Sequence, residues 1–207
     1  MKKYELTAEF IEKWGKKLFR IKALISFGSV EAGELGGYIE KEDNLAHDGN
    51  AWVSGNAEVY GDARVYGNAE VYGDARVSGD ARVYGNAEVY GDAWVSGNAE
   101  VYGDAEVYGN ARVCGDARVC DDADYLLIGR IGSRFSFTTF FKNKDKGITV
   151  SCGCFLGTIA EFRAKVTDTH GNNKHAKMYN LAADMAELQI LGEEHFDKLN
   201  TNKSEPF

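Results

Sequence analysis

Between residues 51 and 123 the chain alternates small apolar and outward polar positions with a period of six. Alanine holds one slot from Ala51 to Ala123, and valine holds the slot two residues later from Val53 to Val119. In an extended chain those two slots share one face, and the residue between them (Glu, Arg or Trp) points the other way. Glycine followed by Asp or Asn comes next, from Gly49 to Gly115, and both residue types tolerate the positive φ of a corner. The pattern predicts a short strand, a corner and another short strand, repeated. Such units cannot bury their inner face alone, so they must stack. Leu45 and His47 fill the same slots in an imperfect leading repeat, and Asp121 breaks the glycine slot.

The flanks have different periods. Lys17–Leu24 alternates and predicts a strand, with Phe19 and Ile21 on one face and Arg20 and Lys22 on the other. Gly33–Ile39 leads into the first coil, and its Gly36-Gly37 pair predicts a close backbone approach rather than a phosphate loop, because no helix N-terminus follows. Beyond the repeat, Tyr125-Leu126-Leu127-Ile128 is a continuous apolar run. Arg134–Phe141 and Gly147–Cys152, joined by the basic turn 142–146, predict a β-hairpin. Thr158 with Glu161 makes a capping box for a helix over 159–168. A second helix over 174–191 carries Met178, Leu181, Met185, Leu188 and Leu191 on one stripe, the face expected to pack inward. The expected organisation is an N-terminal cap over 1–44, a coil over 45–124 and an α+β C-terminal cap over 125–207. Caps are needed because a raw coil edge invites edge-to-edge pairing.

A repeat of this kind resembles the left-handed parallel β-helix family. The resemblance implies a mainly β fold with three hexapeptides per coil, so that residues i and i+18 stack. One outer face then carries Trp52, Glu70, Glu88, Glu106 and Asp124, a second carries Arg64, Arg82, Glu100 and Arg118, and a third Glu58, Arg76, Trp94 and Arg112. Two tyrosine ladders run beside them, Tyr72–Tyr90–Tyr108 and Tyr66–Tyr84–Tyr102, suited either to a subunit interface or to stabilising the coil. A fourth ladder holds Tyr60, Ser78, Ser96 and Cys114.

Composition narrows the function. The chain has 207 residues, 24 glycines, one proline and a net charge of −8. Residues 45–124 are strongly acidic, whereas 125–207 is slightly basic. An acidic middle argues against duplex nucleic acid, and an anionic ligand belongs at the ends. Neither a membrane span nor a secretory signal is written in the residues, and four cysteines are too few for a disulfide scaffold, so a cytoplasmic setting is expected.

Candidate chemistry is sparse. Cys152, Cys154, His170 and His175 offer N and S donors, but a one-residue Cys spacing is unusual for zinc, and no metal or cofactor is expected. Two small buried cysteines on one strand face are the simpler expectation. Cys114 and Cys120 fall on different faces and should not bridge. Many left-handed β-helix proteins are acyltransferases, which implies a histidine base, a loop thrown out between coils and a coenzyme A groove in a trimer. Here the regular repeats contain no histidine and no loop interrupts them, so the expectation is a non-catalytic protein. The remaining candidates lie in the C-terminal cap: Arg134, Phe137, Thr138 and Thr139 on its first strand, and His170, Asn172, Asn173, Lys174 and His175 between the helices. Cations pair with phosphate, aromatics stack on a base, and Asn and Thr read polar edges, an inventory that suits a nucleotide-type anion.

The whole chain also resembles small hexapeptide-repeat proteins of bacteriophages and prophages, whose activity is not established. The matching stretches are Arg20–Leu24, Gly33–Ile39, Asp48–Val53, Val150–Phe155 and Thr169–Ala176. That resemblance implies counter-defence work in the host cytoplasm, such as sequestering a nucleotide immune signal. A homo-oligomer (dimer or trimer) is expected. The alternatives are an acyltransferase and a structural or protein-binding rod.

Overall fold

A computed structural model of the chain describes residues 2–195. It contains two compact units, Met1–Asp122 and Ala123–Phe207.

The first unit is a parallel β-solenoid of about five turns. Three strands precede the regular coils: β1 (Tyr4–Lys13), β2 (Lys16–Ala23) and β3 (Leu35–Ile39). Twelve two-residue strands follow, β4 (Trp52–Val53) to β15 (Arg118–Val119), one starting every six residues. Each of the first nine pairs in parallel with the strand 18 residues on, as Trp52 does with Glu70, Glu70 with Glu88 and Glu88 with Glu106. Every slot alanine from Ala51 to Ala117 and every slot valine from Val53 to Val119 is buried. The corners explain the glycines. Gly79 has φ +70°, and a Cβ there would sit 2.9 Å from the amide nitrogen of Gly97 in the next coil. Gly36 and Gly37 are the close approach that the sequence predicts, since a Cβ on Gly36 would lie 2.6 Å from the Val53 carbonyl oxygen.

The outer ladders are satisfied internally. Tyr72 and Tyr90 stack at 4.9 Å, as do Tyr66 and Tyr84. The Tyr72 phenol donates to Glu88 at 2.8 Å and the Tyr90 phenol to Glu106 at 2.9 Å. Asn50, Asn68, Asn86 and Asp104 form a second ladder, each Asn amide donating to the next Oδ1 at 2.9–3.2 Å. The acidic face stops one step short of the expected ladder. Asp124 is not stacked under Glu106; it belongs to the second unit and pairs with Lys142 at 2.6 Å. The regular corner is lost where Asp121 replaces glycine, and Asp122 instead accepts from the Glu106 amide.

The open upper edge of the first coil is closed by side chains. The amides of Tyr38, Glu40 and Ala46 donate to Ala57 O, Val59 O and Val65 O, but the carbonyls between them lack backbone donors, and a buried orphan carbonyl is costly. The Lys3 ammonium donates to Ala51 O at 2.8 Å and Gly49 O at 3.4 Å. The Tyr4 phenol donates to the carbonyls of Leu45 and Glu42, and the Asn44 amide to those of Gly61 and Ala63.

The second unit holds a four-stranded antiparallel sheet in the order β16 (Tyr125–Ile131), β17 (Ser136–Lys142), β18 (Ile148–Cys152) and β19 (Phe155–Thr158). Two helices follow, α1 (Ile159–His170) and α2 (Lys174–Leu191). The Thr158–Glu161 capping box forms as expected. The core joins Phe140, Val150 and Cys152 of the sheet to Phe162, Val166, Tyr179 and Ala183 of the helices. The expected inward stripe of α2 is corrected here. Met178, Leu181, Met185 and Leu188 are exposed, and the buried face is Ala176, Tyr179, Ala182, Ala183, Ala186 and Ile190. No helix among the described residues is long and apolar enough to cross a membrane.

Candidate functional site

The second unit contains a cleft of about 520 Å³. Ser133 and Arg134 enter it from the β16–β17 turn, and Cys152, Cys154 and Phe155 from the β18–β19 turn. Helix α1 contributes Phe162, Lys165, Val166, Thr169 and His170, and α2 contributes Tyr179. The α1 residues are spaced i, i+3, i+4, i+7 and i+8, so one helical face forms the wall.

The floor is aromatic. Phe162 lies 5.6 Å from Phe155 and 5.6 Å from Tyr179, the latter edge-on. His170 stacks against Tyr179 at 5.8 Å. Burial first, and then the neighbouring Cys152 thiol, raises the Tyr179 phenol above its ordinary range, so it stays a neutral donor. The Arg134 guanidinium crosses Gly153, where a Cβ would lie 2.5 Å from Nη2. Gly153 also has φ +62°, a left-handed conformation that favours glycine. Arg134, Lys165 and His170 are thus the polar groups able to carry positive charge; among the described residues no Asp or Glu lines the cleft, but Lys165 pairs with Asp168 beside it at 3.3 Å.

Of the residues named from sequence, Arg134 and His170 open onto this cleft. His175 stands beside it, its ring 5.8 Å from His170, with a buried Nδ1 that lacks a hydrogen-bond partner. Phe137 lies against Gly129 within the sheet. Thr138 and Thr139 are buried, and Thr138 donates to Cys152 Sγ at 3.2 Å, so neither faces the cleft. Asn173 caps α2, accepting from the amides of His175 and Ala176. Asn172 and Lys174 are exposed. Sequence reasoning missed Lys165, Phe155, Phe162 and Tyr179. The predicted α1 helix carried the signal, because Phe162, Lys165, Val166, Thr169 and His170 share one face of it.

The four candidate metal ligands do not assemble. Cys152 is buried and Cys154 exposed, which also corrects the expectation of two buried thiols on one face. Among the described residues no group of three or more His, Cys, Asp or Glu is placed to hold a metal ion. All four cysteines are free thiols.

The first unit offers a single histidine, His47. Its Nδ1 accepts from the Lys3 amide at 3.3 Å, which leaves the neutral ring's proton on Nε2. Nε2 faces Glu42 Oε2 at 3.7 Å, and the ring stacks on Tyr4 at 4.4 Å. Nε2 is buried without a hydrogen-bond partner.

Comparison with known proteins agrees with the coil. A family model described as the YdcK beta solenoid repeat matches residues 81–97, in the middle of the solenoid. No curated protein matches the sequence. The chain is therefore similar, over those coils, to a β-solenoid repeat.

Proposed function

We infer that the second unit binds a small nucleotide-type anion in the Arg134–Lys165–His170 cleft and holds it without chemistry. The observation that carries this reading is the pairing of three basic side chains with an aromatic floor in a cleft free of carboxylates. Guanidinium and ammonium groups pair with phosphate oxygens, and Phe155, Phe162 and Tyr179 offer apolar area for a base. The volume lies within the range of small-ligand sites. The finer identity belongs to the same proposal: a left-handed hexapeptide helix of the phage type, homo-oligomeric, sequestering a host immune nucleotide in the cytoplasm.

Calorimetry of the full chain against cyclic and linear nucleotides tests it. A tight binder is expected, recovered intact on chromatography. Arg134→Ala and Lys165→Ala should each weaken it by about tenfold or more, the scale of one charge-assisted hydrogen bond. Absence of any tight binder, or a chemically altered ligand, overturns the reading. The acyltransferase alternative is weakened by the absence of histidine from the regular repeats, and titration with coenzyme A tests it in the same instrument. The protein-binding rod is weakened by tyrosine ladders whose phenols are already bonded to Glu88 and Glu106.

A further inference from the structure

The first unit has its own cavity, of about 620 Å³, at the leading end of the solenoid. Its lining includes the paired Leu45 and Val65 and carries charges of both signs. On one wall Arg64 and Arg82 stand in register on adjacent coils, about 4.8 Å apart along the ladder. Two like charges so placed repel, unlike the ladders whose neighbours are bonded to each other. Arg64 has no side-chain hydrogen bond or ion pair among the described residues, and Arg82 reaches only Glu100, at 4.0 Å, a carboxylate that also pairs with Arg118. The lining also carries Asp43 and Asp48, neither of which forms a side-chain hydrogen bond or ion pair among the described residues. Glu42, beside them, is neutralised by Lys2 at 2.6 Å.

The molecule therefore holds two cations and two carboxylates around an open cavity without joining them. We propose that this cavity is a binding site for a small zwitterion, its oxyanion held between Arg64 and Arg82 and its ammonium group by Asp43 and Asp48. A paired guanidinium wall suits a carboxylate, phosphonate or phosphate, whose oxygens accept from both forks. The Tyr66 ring at the same wall, stacked on Tyr84 at 4.9 Å, gives the ligand's carbon chain a rigid apolar surface. The imidazole of His47 is held by its Lys3 and Tyr4 contacts and shapes the cavity. This site is separate from the Arg134 cleft and needs none of its residues.

Calorimetry of the full chain tests it with 4-aminobutyrate, 6-aminohexanoate and 3-aminopropylphosphonate. Butyrate, propylphosphonate and butylamine serve as probes carrying one of the two charges. At least one zwitterion is expected to bind about tenfold or more tighter than any single-charge probe. Arg82→Gln and Asp43→Asn should each lower that affinity by a similar factor with the circular dichroism spectrum unchanged, and Arg134→Ala should leave it unaltered. Failure of all three zwitterions to bind overturns the proposal. So does equal binding of the single-charge probes, or parental affinity in the Arg82→Gln and Asp43→Asn variants.

Discussion

At the scale of single residues, the corner glycine and the ladder tyrosine do most to fix the coil. Two glycines separate the causes of the glycine requirement. Gly79 and Gly115 share the same backbone, with φ +70° and +68°, but a Cβ on Gly79 meets the next coil whereas one on Gly115 meets nothing within 4 Å. Gly115→Ala should cost about 1 kcal/mol for the left-handed conformation alone. Gly79→Ala should cost more, about 2–3 kcal/mol, because the neighbouring coil must also shift. Chemical denaturation of the two variants measures the difference, and equal losses would mean that packing between corners contributes nothing. The tyrosines make an alkaline prediction. Burial first, and then the neighbouring carboxylates, pushes the Tyr84 and Tyr90 phenols up to about 12. A folded pKa above the unfolded one gives stability that is full below pH 10 and is lost as pH rises through about 12. Melting temperature should fall over that window. The late-titrating phenolate absorbance of Tyr84→Phe,Tyr90→Phe should shrink, leaving the raised phenols of Tyr4 and Tyr72, which is the direct check.

Among the elements, legibility followed how strictly the local period dictated a face. The coil was readable because Ala and Val recur in a slot that only a narrow interior satisfies, and because Gly-Asp/Asn marks each corner. Both C-terminal helices were readable from Thr158, Glu161 and the Gly171 break. Strand β1 was missed although Tyr4, Leu6, Ala8 and Phe10 alternate with Glu5, Thr7 and Glu9 at the period of a strand. Helix α2 was recognised but turned the wrong way. Hydrophobicity ranks Met and Leu above Ala, yet the contact with the sheet is made by Ala176, Ala182, Ala183 and Ala186, whose small side chains let the helix lie close. The candidate cleft was half legible for the same reason. Arg134 and His170 announced themselves by charge, whereas Phe162 and Tyr179 read as ordinary core. Reversing size on the two faces of α2 tests its orientation. Leu181→Ser, at a residue 63% exposed, should change stability by less than about 0.5 kcal/mol. Ala183→Leu, at a fully buried residue, should destabilise by about 1–3 kcal/mol through overpacking. A large loss at Leu181 would mean that its stripe is covered.

For the solenoid as a whole, the governing fact is that a parallel coil has two ends whose backbone groups no further coil can satisfy. At the leading end β3 pairs with β5 on one face, and the remaining carbonyls of the first coil are met by long polar side chains. Asn44, Tyr4 and Lys3 reach over the first coil as donors, and Lys3 does so while almost fully buried. Burial depresses its ammonium from the ordinary lysine range to about 8, opposed in part by the Asp48 carboxylate. The unfolded chain keeps that proton up to about 10.5. Between those values the unfolded state binds more protons than the folded one, so stability rises with pH; the contribution is full above 10.5 and is lost as pH falls to 8. The tyrosines act in the opposite sense above pH 10, so the clean window is 8 to 10, read as the difference between wild type and Lys3→Met. The variant removes the donor to Ala51 O and Gly49 O and should cost about 1–3 kcal/mol. That cost should be larger at pH 10 than at pH 7.5, since at the lower pH it also relieves a buried charge. A pH-independent difference would mean that the Lys3 ammonium is hydrated, and that the edge of the first coil is closed by water rather than by the chain.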